Sequence, residues 1–239
     1  MRRPQDRAGW QGSSRADALW AHPRTLVLVA LLLVAACAPF TRGGGDDRLR
    51  RVELLALLQT LNADLLSHDS ATLTLERWCA DHRLAQPAKI VARRERDATK
   101  AIPAELRARL GIGPHEVLGY RRVRLVCGER VLSEADNWYV PARLTDAMNR
   151  ALDTTDEPFG RVVAALDFQR RTLSAELLWS PLPPGWEMIS PDRRGEARTP
   201  VAVPHAVLRH TAILYSAAQT PFSALVETYT GEVIDFRTR

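Results

Sequence analysis

Residues 117–140 read VLGYRRVRLVCGERVLSEADNWYV, and the class of the fold turns on them. Tyr120, Arg122, Arg124 and Val126 alternate with Arg121, Val123, Leu125 and Cys127, the two-residue period of a β-strand. Gly128 and Glu129 make a tight turn. Val131 to Val140 then returns as the partner strand until Pro141 stops it. The C-terminus repeats the device, with Ala206 to Tyr215, a turn over 218–221, and Phe222 to Asp235.

The segments around these hairpins read mainly as helices. Val52, Leu55, Leu58, Leu61 and Leu65 recur at helical spacing over Arg48 to Leu66. Residues 67–70 offer turn and N-cap chemistry, and a second helix is expected over Ala71 to Ala80. A strand over Lys89 to Arg96 precedes a helical turn, Pro103 to Leu110, ended by Gly111 and Gly113. Short helices are expected over Thr145 to Leu152 and Arg161 to Ala165. Residues 166–179 read as mixed, and Pro181 to Pro204 as an irregular loop. Helices flanking antiparallel hairpins give an α+β class, an antiparallel sheet with helices on one face, rather than alternating βαβ units.

With 239 residues, 46% apolar and 26% charged, the chain suits one domain with its own core. The net charge is +5, but the only lysines are Lys89 and Lys100, and no basic run with interleaved aromatics occurs. No nucleic-acid partner is expected. His115, His205 and His210 are scattered and the cysteines lack zinc spacing, so no metal or cofactor is expected.

The apolar run 26–37, behind a basic and polar leader, suits an export signal better than a membrane span. Its end, Val34, Ala35, Ala36 and Cys37, resembles a bacterial lipobox. The expectation is a signal over 1–37, lipidation at Cys37, a flexible tether over 38–47 and a domain over 48–239. The protein would be a monomeric lipoprotein facing the periplasm, on the outer membrane because Ala38 rather than an aspartate follows. Its membrane contact would be the anchor alone. If the signal reading fails, the protein is cytoplasmic. In an oxidising compartment Cys79 and Cys127 either pair or stay as small buried thiols. Pairing requires the second helix to lie on the hairpin strand, with Cα atoms about 4.4–6.8 Å apart.

Four segments, in order and spacing, resemble the chorismate pyruvate-lyase family, whose fold is shared by effector domains of some bacterial transcription regulators. They are residues 69–72, the hairpin with Arg122 five residues before Cys127 and Val140 before Pro141, residues 157–161 (EPFGR), and residues 226–229 (VETY). The resemblance implies a closed cavity for 4-hydroxybenzoate. Arg122 would pair with the carboxylate and Glu227 would meet the phenol end, the two acting as the catalytic pair. Phe159 would be an apolar backstop, Gly160 would supply backbone near the ligand, and Ala71 and Thr72 would close the other side. The cover is expected from Phe159 and the loop Pro181 to Pro204. An arginine fork does match a planar carboxylate.

Strand alternation puts Arg122 on one face with Tyr120 and Arg124 and by itself would let it sit in solvent, with the apolar face of Val123 and Leu125 covered by helices; the resemblance implies instead that the arginine face meets the loop-covered pocket. Arg121, on the opposite face, is expected to matter little. The chain departs from the lyases at Asp136 and Asn137, where they carry a glycine and an arginine that would be a second carboxylate clamp. Three functions are therefore weighed: release of pyruvate from chorismate or a related enolpyruvyl acid, non-catalytic binding of a small aromatic or carboxylic acid at the envelope, and a structural lipoprotein with an empty pocket.

Overall fold

The computed structural model describes residues 43–113, 115–188 and 201–236. The chain divides into residues 1–42 and 43–239, and everything below concerns the second unit. The expected signal and Cys37 lie outside the described residues.

Six strands form one antiparallel sheet: β1 (Ile90–Glu95), β2 (Gly119–Cys127), β3 (Arg130–Tyr139), β4 (Gln169–Leu177), β5 (Ala206–Tyr215) and β6 (Pro221–Thr230). Their order is β1-β2-β3-β6-β5-β4, so the two hairpins read from the sequence meet where β3 pairs with β6. Gly128 takes φ of +58° at the β2–β3 turn, a conformation that costs glycine little. The helices are α1 (Gly43–Leu66), α2 (Ala71–Asp81), α3 (Ala104–Leu110), α4 (Asp146–Thr154) and the single turn α5 (Phe159–Val162).

The main core lies between one sheet face and α1 and α2. Leu54, Leu58, Leu61 and Leu65 form the buried stripe of α1 and pack with Leu75 and Trp78 of α2 over Leu125, Leu208 and Tyr229. That stripe departs from the expected one at its start, since Val52 is exposed. On the other face Leu106 and Leu110 of α3 pack on Trp138, Ile213 and Ala224. Cys79 of α2 and Cys127 of β2 form a disulfide with Cα atoms 6.4 Å apart. The condition for pairing is met because α2 lies on the end of β2.

Two expectations are corrected. Gly43 to Asp47 belong to α1 rather than to a tether. Extending a helix already nucleated by a leucine-rich stretch needs no new nucleus, so even glycines are carried along. Residues 169–177, read as mixed, are strand β4. It is an edge strand with mostly polar, half-exposed residues and a register shift between Thr172 and Ser174, so no regular alternation marks it.

Candidate functional site

A cavity of about 40 Å³ lies between the helix-covered sheet face and the starts of α2 and α5. Its floor comes from Val123 and Leu125 of β2, Asn137 of β3, Arg170 of β4, Leu214 of β5, and Leu225 and Glu227 of β6. Its roof comes from residues 69–72, Phe159, Gly160 and Phe168. Ser70 caps α2 by accepting a hydrogen bond from the Leu73 amide. A Cβ at Gly160 would lie 3.2 Å from Ser70 Oγ and 3.4 Å from Thr72 Oγ1, so glycine lets the two helix starts approach closely.

Five of the six residues singled out in the sequence thus line one cavity: Ala71, Thr72, Phe159, Gly160 and Glu227. Arg122 does not. It points to the opposite face, a third exposed, and donates to Asp136 (3.2 Å), Glu95 (3.1 Å) and Glu134 (3.4 Å). Asp136 also accepts from Lys100 (2.5 Å) and Tyr120 (2.7 Å). Burial would raise the Asp136 carboxyl, but these donors hold it below its usual range. The reason for the correction is the strand period. Val123 and Leu125 face the core, and Arg122, between them in register, must face away. The loop from Pro181 is not among the lining residues either. Pro181 instead accepts from Arg51 of α1, and residues 189–200 of that loop lie outside the described residues.

Glu227 has a different arginine. Arg170 donates to it at 2.5 Å, both side chains being almost fully buried, and Tyr229 donates to the same oxygen at 3.3 Å. Burial works against the Arg170 charge, but Glu227 beside it more than compensates and raises its pKa. Burial, aided by Glu227, pushes the Tyr229 hydroxyl well up. Next to this group burial pushes the His210 pKa down, and its Nε2 is hydrogen-bonded to Asn62 Oδ1 at 2.8 Å. The pair Arg170–Glu227 brings no net charge to the cavity.

Several buried donors remain unused among the described residues. Asn137 accepts from Ser223 through its carbonyl, but its Nδ2 has no acceptor, and neither has Arg170 Nε. Arg121, 1% exposed and opposite Asn137 in the strand register, has all three guanidinium nitrogens without an acceptor. Arg170 was missed because β4 carries no strand signal. Arg121 had one, since it shares its alternation face with Val123 and Leu125.

No family model matches the chain. A protein of Sinorhizobium fredii, named "Uncharacterized protein y4mC", is 56% identical over 189 residues, 79% of each chain. Among solved structures, PhnF from Mycobacterium smegmatis is 11% identical with a TM-score of 0.44, covering 72% of this chain and 68% of that one. The "possible transcriptional regulator YydK" of Bacillus subtilis is 12% identical with a TM-score of 0.38 over 63% of this chain; the chain spans only 62% of it. The C-terminal domain of the histidine utilization repressor from Pseudomonas syringae is 12% identical with a TM-score of 0.36, over 63% of this chain and 98% of that one. At such scores these likenesses carry no functional argument.

Proposed function

The chain belongs to the family of the Sinorhizobium fredii protein y4mC, and we propose that it is a chorismate-lyase-like domain that binds a small organic acid without turning it over. One observation carries this reading. Asn137 Nδ2 and Arg170 Nε are buried N–H groups with no acceptor, on two residues that line the cavity. An unmet buried donor costs about 1–3 kcal/mol, and both are satisfied by the oxygens of a bound acid.

The same geometry speaks against lyase chemistry. Arg122 is held by three acids on the far face. Glu227 is occupied by Arg170 and Tyr229. The cavity has room for about three water-sized groups, far less than chorismate requires.

Native mass spectrometry and thermal shift test the reading. The domain is expected to retain a low-mass acid or to be stabilised by short carboxylic acids, and Asn137→Leu is expected to abolish both. A domain that holds nothing and is stabilised by none of them would sink it.

Location at the envelope through Cys37 belongs to the same proposal. Its support is the Cys79–Cys127 disulfide, since disulfides persist in oxidising compartments.

A further inference from the structure

Helix α1 is apolar on two sides. Leu54, Leu58, Leu61 and Leu65 face the core. On the opposite side, over residues 48–66, the exposed side chains carry one charge, that of Arg48. Leu49 is 59% exposed, Leu66 48% and Val52 40%. A helix at the surface of a domain ordinarily sets charged and polar residues against water on that side, and one that is apolar all round is covered.

The exposed side repeats. Leu49, Val52, Ala56, Gln59, Ala63 and Leu66 follow one another at alternating intervals of three and four residues, the a and d positions of a heptad. The row runs for about 27 Å of helix. Its intervals are the same read from either end. Turned round and laid on a second copy of itself, it meets position for position: Leu49 of one copy faces Leu66 of the other, Val52 faces Ala63, and Ala56 faces Gln59. The two alanines let the helix axes approach to about 8 Å.

Charge selects this direction. Arg48 stands at the N-terminal end of the row. The C-terminal end is negative. The last turn of α1 holds no basic residue, and its carbonyls carry the negative end of the helix dipole. Asp64 adds a carboxylate there, in contact with His68 (3.0 Å) and Arg77 (3.4 Å). Antiparallel pairing brings each Arg48 to the negative end of the other copy's helix. Parallel pairing would set Arg48 against Arg48 and like dipole ends side by side.

We propose that α1 pairs antiparallel with α1 of a second copy of this chain, so that the protein is a homodimer joined along a two-helix seam, in place of the monomer expected from the sequence. A row this short buries less than the ~1,600 Å² of a standard interface, so the dimer is weak in solution, with a dissociation constant of about 10–100 µM.

Sedimentation and cross-linking of the full chain in mild detergent test this. The native chain is expected to dimerise as its concentration rises. Ala56→Glu together with Ala63→Glu should weaken association about tenfold or more, because each carboxylate would be buried in the seam without a counter-charge. Both positions are exposed and glutamate is a good helix former, so circular dichroism should show an unchanged fold. Direction is read from cysteines placed in a Cys37→Ser background. A mixture of Leu49→Cys and Leu66→Cys chains is expected to give a disulfide-linked dimer on oxidation. Leu49→Cys alone is not, since antiparallel pairing keeps the two copies of position 49 about 25 Å apart along the seam. A native chain that is monomeric at ~0.5 mM, a dimer untouched by the two glutamates, or Leu49→Cys chains that link to one another would each overturn the proposal. So would a monomeric chain whose binding to phospholipid vesicles the two glutamates abolish, which would give this face to a lipid surface.

Discussion

His210 shows how burial sets chemistry one side chain at a time. It is 0% exposed, beside Tyr229 and the Arg170–Glu227 pair, and its pKa is pushed down to about 4 from 6.5. Burial is the main cause; Arg170 adds repulsion, and Glu227 opposes it without winning. Because the unfolded chain takes up this proton near pH 6.5 and the folded chain only near 4, His210 leaves stability intact above pH 6.5. Stability is lost as the pH falls through that window, by about 3 kcal/mol in all. Denaturant titrations from pH 7.5 to 4 are expected to show this slope, and His210→Gln is expected to flatten it. An identical slope in the variant would assign the loss to other groups. Arg121 and Arg122 give the complementary lesson. Adjacent in sequence and identical in chemistry, they end on opposite faces, one buried without an acceptor and the other ion-paired at the surface.

Among the elements, α2 does the most for the site. Its first residues, Ala71 and Thr72, roof the cavity, its cap Ser70 lines it, and Glu76 in its middle accepts from Arg161 of α5 (2.6 Å) and from the Ile90 amide of β1 (2.9 Å). One carboxylate thereby ties both halves of the roof to the sheet edge. Ser70→Ala removes the acceptor for the Leu73 amide and is expected to cost about 1 kcal/mol. Hydrogen exchange should then rise over 71–75 while the β5–β6 hairpin keeps its protection. An even loss across the domain would mean that the cap has no local role. Legibility also varied by element. The β2–β3 and β5–β6 hairpins were readable because their alternation is regular and their turns are short. Strand β4 was not, because its pairing with β5 is made by backbone groups and leaves little pattern in an edge sequence as polar as QRRTLSAEL.

Across the whole molecule, the Cys79–Cys127 bond closes a separation of 48 residues between the roof helix and the central sheet. In the chain-entropy model a loop of this size contributes about 4 kcal/mol by restricting the unfolded state. The full chain is expected in the membrane fraction without free thiols at these two positions. A version lacking residues 1–37 should stay in the cytoplasm with both thiols free and melt measurably lower. Free thiols in the full chain, or equal melting of the two forms, would count against export and against the bond's contribution. The sequence by itself determined the α+β class and the two hairpins, because local period and turn chemistry are written in the chain order; five of the residues around the cavity followed only from the family resemblance that its short segments carry. Only the tertiary structure decided which sheet face α1 and α2 cover, and therefore which arginine is buried. It also brought Arg170 to Glu227 across 57 residues, an encounter fixed by strand order β6-β5-β4 and not by any pattern along the chain.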